Sequence, residues 1–187
     1  YRLITKWAAN VNLVSRIPEL MRRAFTMMKN GRPGPVLLEI LRDVGLEEFL
    51  GDVEYEPVVR LRSAASQEDV RDLIVAMEKA KRPMIIAGHG VLWAQASEQL
   101  VRFAELTSLP VMTTLAGKSA FPEDHSLSLG TYGHTGTDMA VQFLEKTDFI
   151  LGVGTSFTPA PLNAAIPDGP VLAQITNCVD DINKYYG

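Results

Sequence analysis

Apolar positions along this chain switch between a helical and an extended rhythm. Ile17, Leu20, Met21, Ala24, Phe25 and Met28 recur at helical spacing, and Pro18 stands where a first turn tolerates it, so the spacing predicts a helix ending near Asn30-Gly31. Gly31-Arg32-Pro33-Gly34-Pro35 reads as a rigid turn. Val36 to Leu41 then forms an apolar run broken only by Glu39, as a buried parallel strand would be. Ahead of the helix, Tyr1 to Val11 mixes β-branched and aromatic residues and reads as a strand or extended segment. Helix, turn and strand make half of a βαβ unit. Between Asp43 and Ala65 the pattern dissolves into Glu47, Glu48, Asp52, Glu54 and Glu56, with Pro57 blocking any helix, and an interdomain linker is expected there.

A second periodic region opens at Ser66, which forms an S-x-x-D capping pair with Asp69 ahead of the stripe Val70, Leu73, Ile74, Met77 and Ala80. Strands are expected at Pro83 to Ala87, Pro110 to Thr113, Phe149 to Val153 and Val171 to Thr176, with helices at Val91 to Thr107 and Thr137 to Lys146. That alternation specifies an α/β fold, a parallel sheet with helices on both faces. Ligands bind such sheets beyond the carboxyl ends of the strands. The loops to inspect are therefore Gly88-His89-Gly90, Thr114 to Gly117, Gly133 to Gly136 and Gly154 to Thr158.

Composition changes this picture little. With 47% hydrophobic and 21% charged residues the chain is globular in kind, and a sizeable core is expected. Net charge is −4 and the 18 Lys and Arg are spread out, which leaves no electrostatic footprint for nucleic acid. The longest apolar runs, such as Phe149 to Val153, fall far short of the roughly 20 residues that span a bilayer. A single cysteine, Cys178, excludes an internal disulfide and suits a reducing compartment, so a cytoplasmic location is expected. Tyr1-Arg2 lacks an initiator Met and a signal-peptide pattern, which suggests that the natural N-terminus lies elsewhere.

Candidate chemistry gathers in the glycine loops. Gly88-His89-Gly90 follows a strand and opens a helix, the context in which a phosphate can approach backbone N–H groups; the competing reading is a tight turn with no ligand. The next strand ends Met112-Thr113-Thr114 without the acidic residue that an ordinary NAD site places there. Thr137 is explained as a helix cap, whereas His134 could donate to a phosphate or flavin oxygen, or simply sit in a solvated loop. The candidate nucleotide crevice thus comprises Gly88, His89, Gly90, Thr114, Leu115, Gly133, His134, Thr135, Gly154 and Ser156. His89, His125, His134 and Cys178 offer no short-range ligand pair, so no protein-built metal site is expected. No carboxylate is set up as a general acid or base. Glu39, a carboxylate in an apparently buried strand, must find a partner or shift its pKa, and a salt bridge to a neighbouring domain is the favoured explanation.

Several runs together resemble the acetolactate-synthase-like branch of thiamine-diphosphate enzymes. Ile4-Thr5-Lys6-Trp7, Arg16 to Leu20 and Gly31-Arg32-Pro33-Gly34-Pro35-Val36, closed by Asp43-Val44, are similar to the end of the pyrimidine-binding domain. Arg82 to Gly90, Gly117 to His125, Leu127 to Gly130 and Asp148 to Gly154 look like the Rossmann-like central domain. The resemblance implies a C-terminal remnant of the first domain over residues 1–45, a linker over 46–65 and a central domain over 66–187, truncated at its C-terminal end. It implies a full-length enzyme that decarboxylates and ligates 2-oxo acids with thiamine diphosphate and Mg²⁺, working as a homodimer or homotetramer with the remaining catalytic domains on the same polypeptide. The activating glutamate would lie upstream and the metal-binding G-D-G downstream; this sequence contains no G-D-G, and no catalytic residue is assigned within it. Central domains of this kind carry FAD in some relatives and ADP in others, and serve as empty spacers in many. Flavin-binding relatives place an R-F-D-D-R-like run where this chain reads Gly154-Thr155-Ser156-Phe157-Thr158-Pro159, a departure that weighs against FAD. A nucleotide-binding module and a purely structural spacer or oligomerisation domain remain the alternatives.

Overall fold

The computed structural model describes residues 1–134, 136–159, 161 and 165–186, and the chain divides into two compact units, Tyr1–Ala64 and Ala65–Gly187.

In the first unit β1 (Trp7–Val11) and β2 (Val36–Ile40) pair in parallel, with Trp7 opposite Val36 and Val11 opposite Ile40, and α1 (Ile17–Lys29) crosses between them. The unit is thus a whole βαβ motif rather than half of one. Pro18 occupies the first turn of α1, Leu20 joins Val11 and Val44 in a small core, and Ala24 is buried. Lys6 fastens the proline-glycine turn: its Nζ donates to the carbonyls of Asn30 and Arg32 at 2.7 and 2.8 Å, and its backbone N–H to Pro35 at 2.8 Å.

Two expectations are corrected here. β2 is not buried within this chain: Glu39 and Ile40 are exposed. The cause is the width of the sheet, since two strands under one helix leave outer positions uncovered. Second, α2 (Arg42–Leu46) forms inside the stretch read as featureless, anchored by buried Val44. Residues 47–66 then run without helix or strand.

The second unit contains α3 (Gln67–Lys79), β3 (Pro83–Ala87), α4 (His89–Ala94), α5 (Ser97–Thr107), β4 (Val111–Thr113), β5 (Ser128–Thr131), α6 (Asp138–Lys146), β6 (Phe149–Val153) and β7 (Val171–Ile175). Its five strands are all parallel, in the order β5-β4-β3-β6-β7. Successive strands move outward from β3 through β4 to β5, and the chain then returns to place β6 on the other side of β3. This reversal between β3 and β6 is the topological switch point.

Alternation along β3 and β6 sends side chains to opposite faces. Ile85, Ala87, Phe149 and Leu151 meet Leu100 and Ala104 of α5, with Leu73, Ala76 and Met77 of α3 packed against them. Met84, Ile86 and Ile150 meet Ala140 and Leu144 of α6, with Tyr132 and Ile166. Helices therefore cover both faces of a parallel sheet, the architecture expected from the alternation of patterns.

The caps agree as well. Ser66 Oγ accepts from the Asp69 N–H at 3.0 Å, and Thr137 Oγ1 accepts from the Ala140 N–H at 3.1 Å. The predicted helix from Val91 to Thr107 instead breaks into α4 and α5 at Gln95, which adopts a left-handed conformation with φ of 54°. Its N–H closes α4 onto the carbonyls of Val91 and Leu92. At the amino end of the sheet, Asp148 receives the N–H groups of Lys81 and Arg82 at 2.8 Å each, tying the start of β3 to the start of β6. Those two donors hold its carboxyl below the usual aspartate range.

Candidate functional site

The crevice lies at the carboxyl ends of β3, β4 and β6, where the glycines meet backbone to backbone. A Cβ on Gly88 would lie 2.3 Å from the Gly154 carbonyl oxygen, and one on Gly90 would lie 2.7 Å from Gly154 Cα. Gly117 approaches from the other side, where a Cβ would fall 2.7 Å from the Ala87 oxygen. Gly154 adopts φ of +63°, a conformation that glycine reaches without strain. These glycines let three loops close upon one another.

Three N–H groups of the turn, those of Gly88, Gly90 and Val91, are engaged by the chain itself. Gly88 donates to Val153 at 2.8 Å, Gly90 to Gly154 at 2.9 Å and Val91 to Gly88 at 3.1 Å, while Gly154 donates to Ile175 at 2.8 Å. His89 is exposed; its Nδ1 donates to the Ala116 carbonyl at 2.7 Å, and its ring meets Trp93 edge-on at 5.7 Å. Thr114 caps the short turn Leu115–Gly117, accepting from the Gly117 N–H at 3.0 Å, and Leu115 stays exposed.

Further along the sheet edge, Gly133 is buried with φ of +126° and His134 is exposed. Thr135 lies outside the described residues. Gly136 packs its α-carbon against the Thr131 and Gly133 carbonyls, where a Cβ would come within 2.2 and 2.8 Å. Tyr132 is buried in the sheet's second core, and burial together with Tyr186 pushes its phenol up to about 12. Ser156 shares a 2.9 Å hydrogen bond with Thr158.

Two participants escaped the sequence reading. Gly152 sits within β6 beneath the ring of Phe157, where a Cβ would lie 2.3 Å from Phe157 Cζ. Gln174 of β7 donates through Nε2 to the Thr155 carbonyl at 2.7 Å. An isolated glycine inside an apolar strand is a signal for close approach, and it was the available clue to Gly152. Nothing local to Gln174 marks its role.

The structure thus brings Gly88, His89, Gly90, Thr114, Leu115, Gly154 and Ser156 to the loops around the switch point, and Gly133 and His134 to the loop after β5. None of the residues in 88–90, 114–117, 132–134 or 154–158 is Lys, Arg, Asp or Glu. A diphosphate would find no fixed cation among them. Among the described residues no three His, Cys, Asp or Glu side chains group to hold a metal ion. Likewise, no described helix is long and apolar enough to cross a membrane.

Strand order and glycine-lined switch point define the doubly wound α/β class that includes dinucleotide-binding folds. Within that class, residues 70–187 match the family "Thiamine pyrophosphate enzyme, central domain", and the chain belongs to it. It is 37% identical over 156 residues to glyoxylate carboligase of Escherichia coli O157:H7, covering 82% of this chain and 26% of the relative. A probable acetolactate synthase large subunit of Methanocaldococcus jannaschii is 35% identical over 163 residues, with coverages of 83% and 27%. Among solved structures, benzoylformate decarboxylase from Polynucleobacter necessarius superposes with a TM-score of 0.77 at 26% identity, covering 92% of this chain and 33% of that one. The chain therefore spans about a quarter to a third of the length of these proteins.

Family membership implies thiamine diphosphate, usually with Mg²⁺. The described residues do not fit the metal–diphosphate end of that cofactor: no three His, Cys, Asp or Glu side chains among them group to hold a metal ion, and the sequence has no G-D-G.

Proposed function

We propose that this chain supplies the middle of a thiamine-diphosphate-dependent enzyme that decarboxylates 2-oxo acids and ligates the product, in the manner of acetolactate synthases. The observation that carries the reading is the extent of the likeness. An alignment of 156 residues with a carboligase is longer than the stretch 70–187, so it reaches upstream of the central-domain family into the first unit. On this reading residues 1–45 belong to the end of the pyrimidine-binding domain, 46–65 form the connector and 66–187 the central domain.

The chain's own contribution is architectural. A sheet covered on both faces gives a rigid body on which catalytic domains of the same polypeptide are mounted, and those domains hold thiamine diphosphate and Mg²⁺. The assembly is a cytoplasmic homodimer or homotetramer; the single cysteine suits a reducing compartment. Sedimentation of the polypeptide at the relatives' full length checks the oligomer, and a monomer at working concentration would refute it.

Activity is tested on two proteins. At the relatives' full length, the polypeptide carrying this chain releases CO₂ from pyruvate or glyoxylate only when thiamine diphosphate and Mg²⁺ are present. The 187-residue chain alone releases none. A long form that binds the cofactor yet leaves every 2-oxo acid untouched would sink the proposal, as would turnover by the short chain.

A further inference from the structure

Sheets with this strand order place dinucleotides at the switch point, with a phosphate on the N–H groups of the first strand-to-helix turn. In this chain that space is already taken. We infer that residues 154–158 are a built-in plug that closes the switch-point crevice to dinucleotides. The Gly154 carbonyl sits where a phosphate oxygen would meet the Gly90 N–H, and the Phe157 ring is laid over Gly152. The inference rests on the geometry of the second unit and not on the 2-oxo-acid reading, so the two fail separately.

Three requirements of a dinucleotide site are spent on the plug. The donors are used, because the N–H groups of Gly88, Gly90 and Val91 all bond within the chain. The room is used, because a single added carbon on Gly88, Gly90 or Gly152 would meet plug atoms at 2.3 to 2.7 Å. The charge is missing where the glycines meet, because residues 88–90, 114–117 and 154–158 include no Lys or Arg to balance a diphosphate and no Asp or Glu to hold a ribose. The glycines that resemble a phosphate loop are thereby accounted for by contact with the plug.

The plug is also anchored. Gly154 donates to Ile175, Gln174 holds the Thr155 carbonyl, and Ser156 bonds Thr158. Phe157 takes φ of 48°, a left-handed conformation that a bulky side chain adopts only when its surroundings dictate it. Those surroundings are the bare Gly152, the Thr155 Oγ1 accepting the Phe157 N–H at 3.3 Å, and the edge of Tyr186 with ring centres 6.3 Å apart. The ring is a fixed stopper rather than a loop side chain at large.

The test uses the whole 187-residue chain with FAD and with ADP as probes. Calorimetric titration at millimolar probe is expected to give no saturable heat, and the Gly90 amide signal in a nitrogen–proton spectrum is expected not to move. One-to-one saturation by either probe, flavin retained through purification, or a shifted Gly90 amide would overturn the inference. A positive arm removes the stopper: Phe157→Ala leaves a ring-sized apolar void, so indole raises the thermal midpoint of the variant and not of the parent. Phe157→Leu, which keeps most of the volume, serves if the alanine variant does not fold, and it should respond to benzene more than the parent does. Equal response of parent and folded variant would show that Phe157 fills no such space.

Discussion

The two units are built from the same elements, a parallel sheet and crossover helices, yet they bury their strands very differently. In β3 of the second unit Ile85, Ile86 and Ala87 are wholly inaccessible to solvent, whereas Ile40 in β2 of the first unit is 48% exposed and Leu46 just beyond it 77%. Strand composition does not explain the contrast, because Val36 to Ile40 is about as apolar as Pro83 to Ala87. Sheet width does. Five strands with helices on both faces supply neighbours on every side of the central pair, while two strands and one long helix leave the outer positions in water. A hydrophobic run states that a strand seeks cover, and its neighbours in space decide whether it receives it.

The largest effect that could break this comparison comes from emptying the central pair. Ile150→Ala, at a position with no solvent exposure, should cost about 4 kcal/mol in urea unfolding, whereas Leu46→Ala should stay within about 0.5 kcal/mol. Equal losses would show that the first unit is as tightly packed as the second. Glycines sharpen the contrast next. Gly88→Ala drives a Cβ into the Gly154 carbonyl and should cost about 3 kcal/mol, while Gly45→Ala in α2 meets only Ile40 Cγ2 at 3.9 Å and should gain about 0.5–1 kcal/mol through helix propensity.

The smallest effects are electrostatic. Asp148 is held in its charged form by two backbone donors from residues 66 and 67 positions away, so its folded pKa lies below the unfolded value of about 3.9. A depressed pKa contributes stability that is present above pH 4 or so and is lost as pH falls through the folded pKa. Asp148→Asn should therefore lower the urea midpoint at neutral pH and flatten its decline in acid. Glu19 in the first unit is lowered by Arg16, its neighbour three residues away on an exposed helix surface, and Glu19→Gln should barely move the midpoint even at low salt. If Glu19→Gln cost as much as Asp148→Asn, the distinction between a local pair and a tie across the sheet would fail.

Much of the architecture was legible in the sequence where one signal spoke alone. Pro83 to Ala87 and Phe149 to Val153 are uninterrupted apolar runs, and both form strands with those bounds. Ser66 and Thr137 cap helices as their side chains predict. The break at Gln95 was not legible, because neither Gly nor Pro marks it and the apolar spacing runs on through Ala96. β5 was missed because Ser128–Thr131 offers four residues, half of them hydroxylated, too short for a period to show.

The site divides in the same way. Its glycines stood out as a class, but Gly88 and Gly90 touch the backbone of Gly154, more than 60 positions distant, and a carbonyl oxygen leaves no trace in the identity of its residue. Glu39 illustrates the converse. Its apolar neighbours suggested burial, and the number of strands in its sheet decided otherwise.

Native-state amide exchange of the 187-residue chain tests most directly whether the switch point is sealed by its own loops. The Gly88, Gly90 and Gly154 amides, each bonded within the chain, should exchange as slowly as those of Ile85 and Ile150, through unfolding of the whole second unit. Exchange at Gly90 and Gly154 that is orders of magnitude faster, while Ile85 stays protected, would mean that the crevice opens in the folded state and would contradict the account.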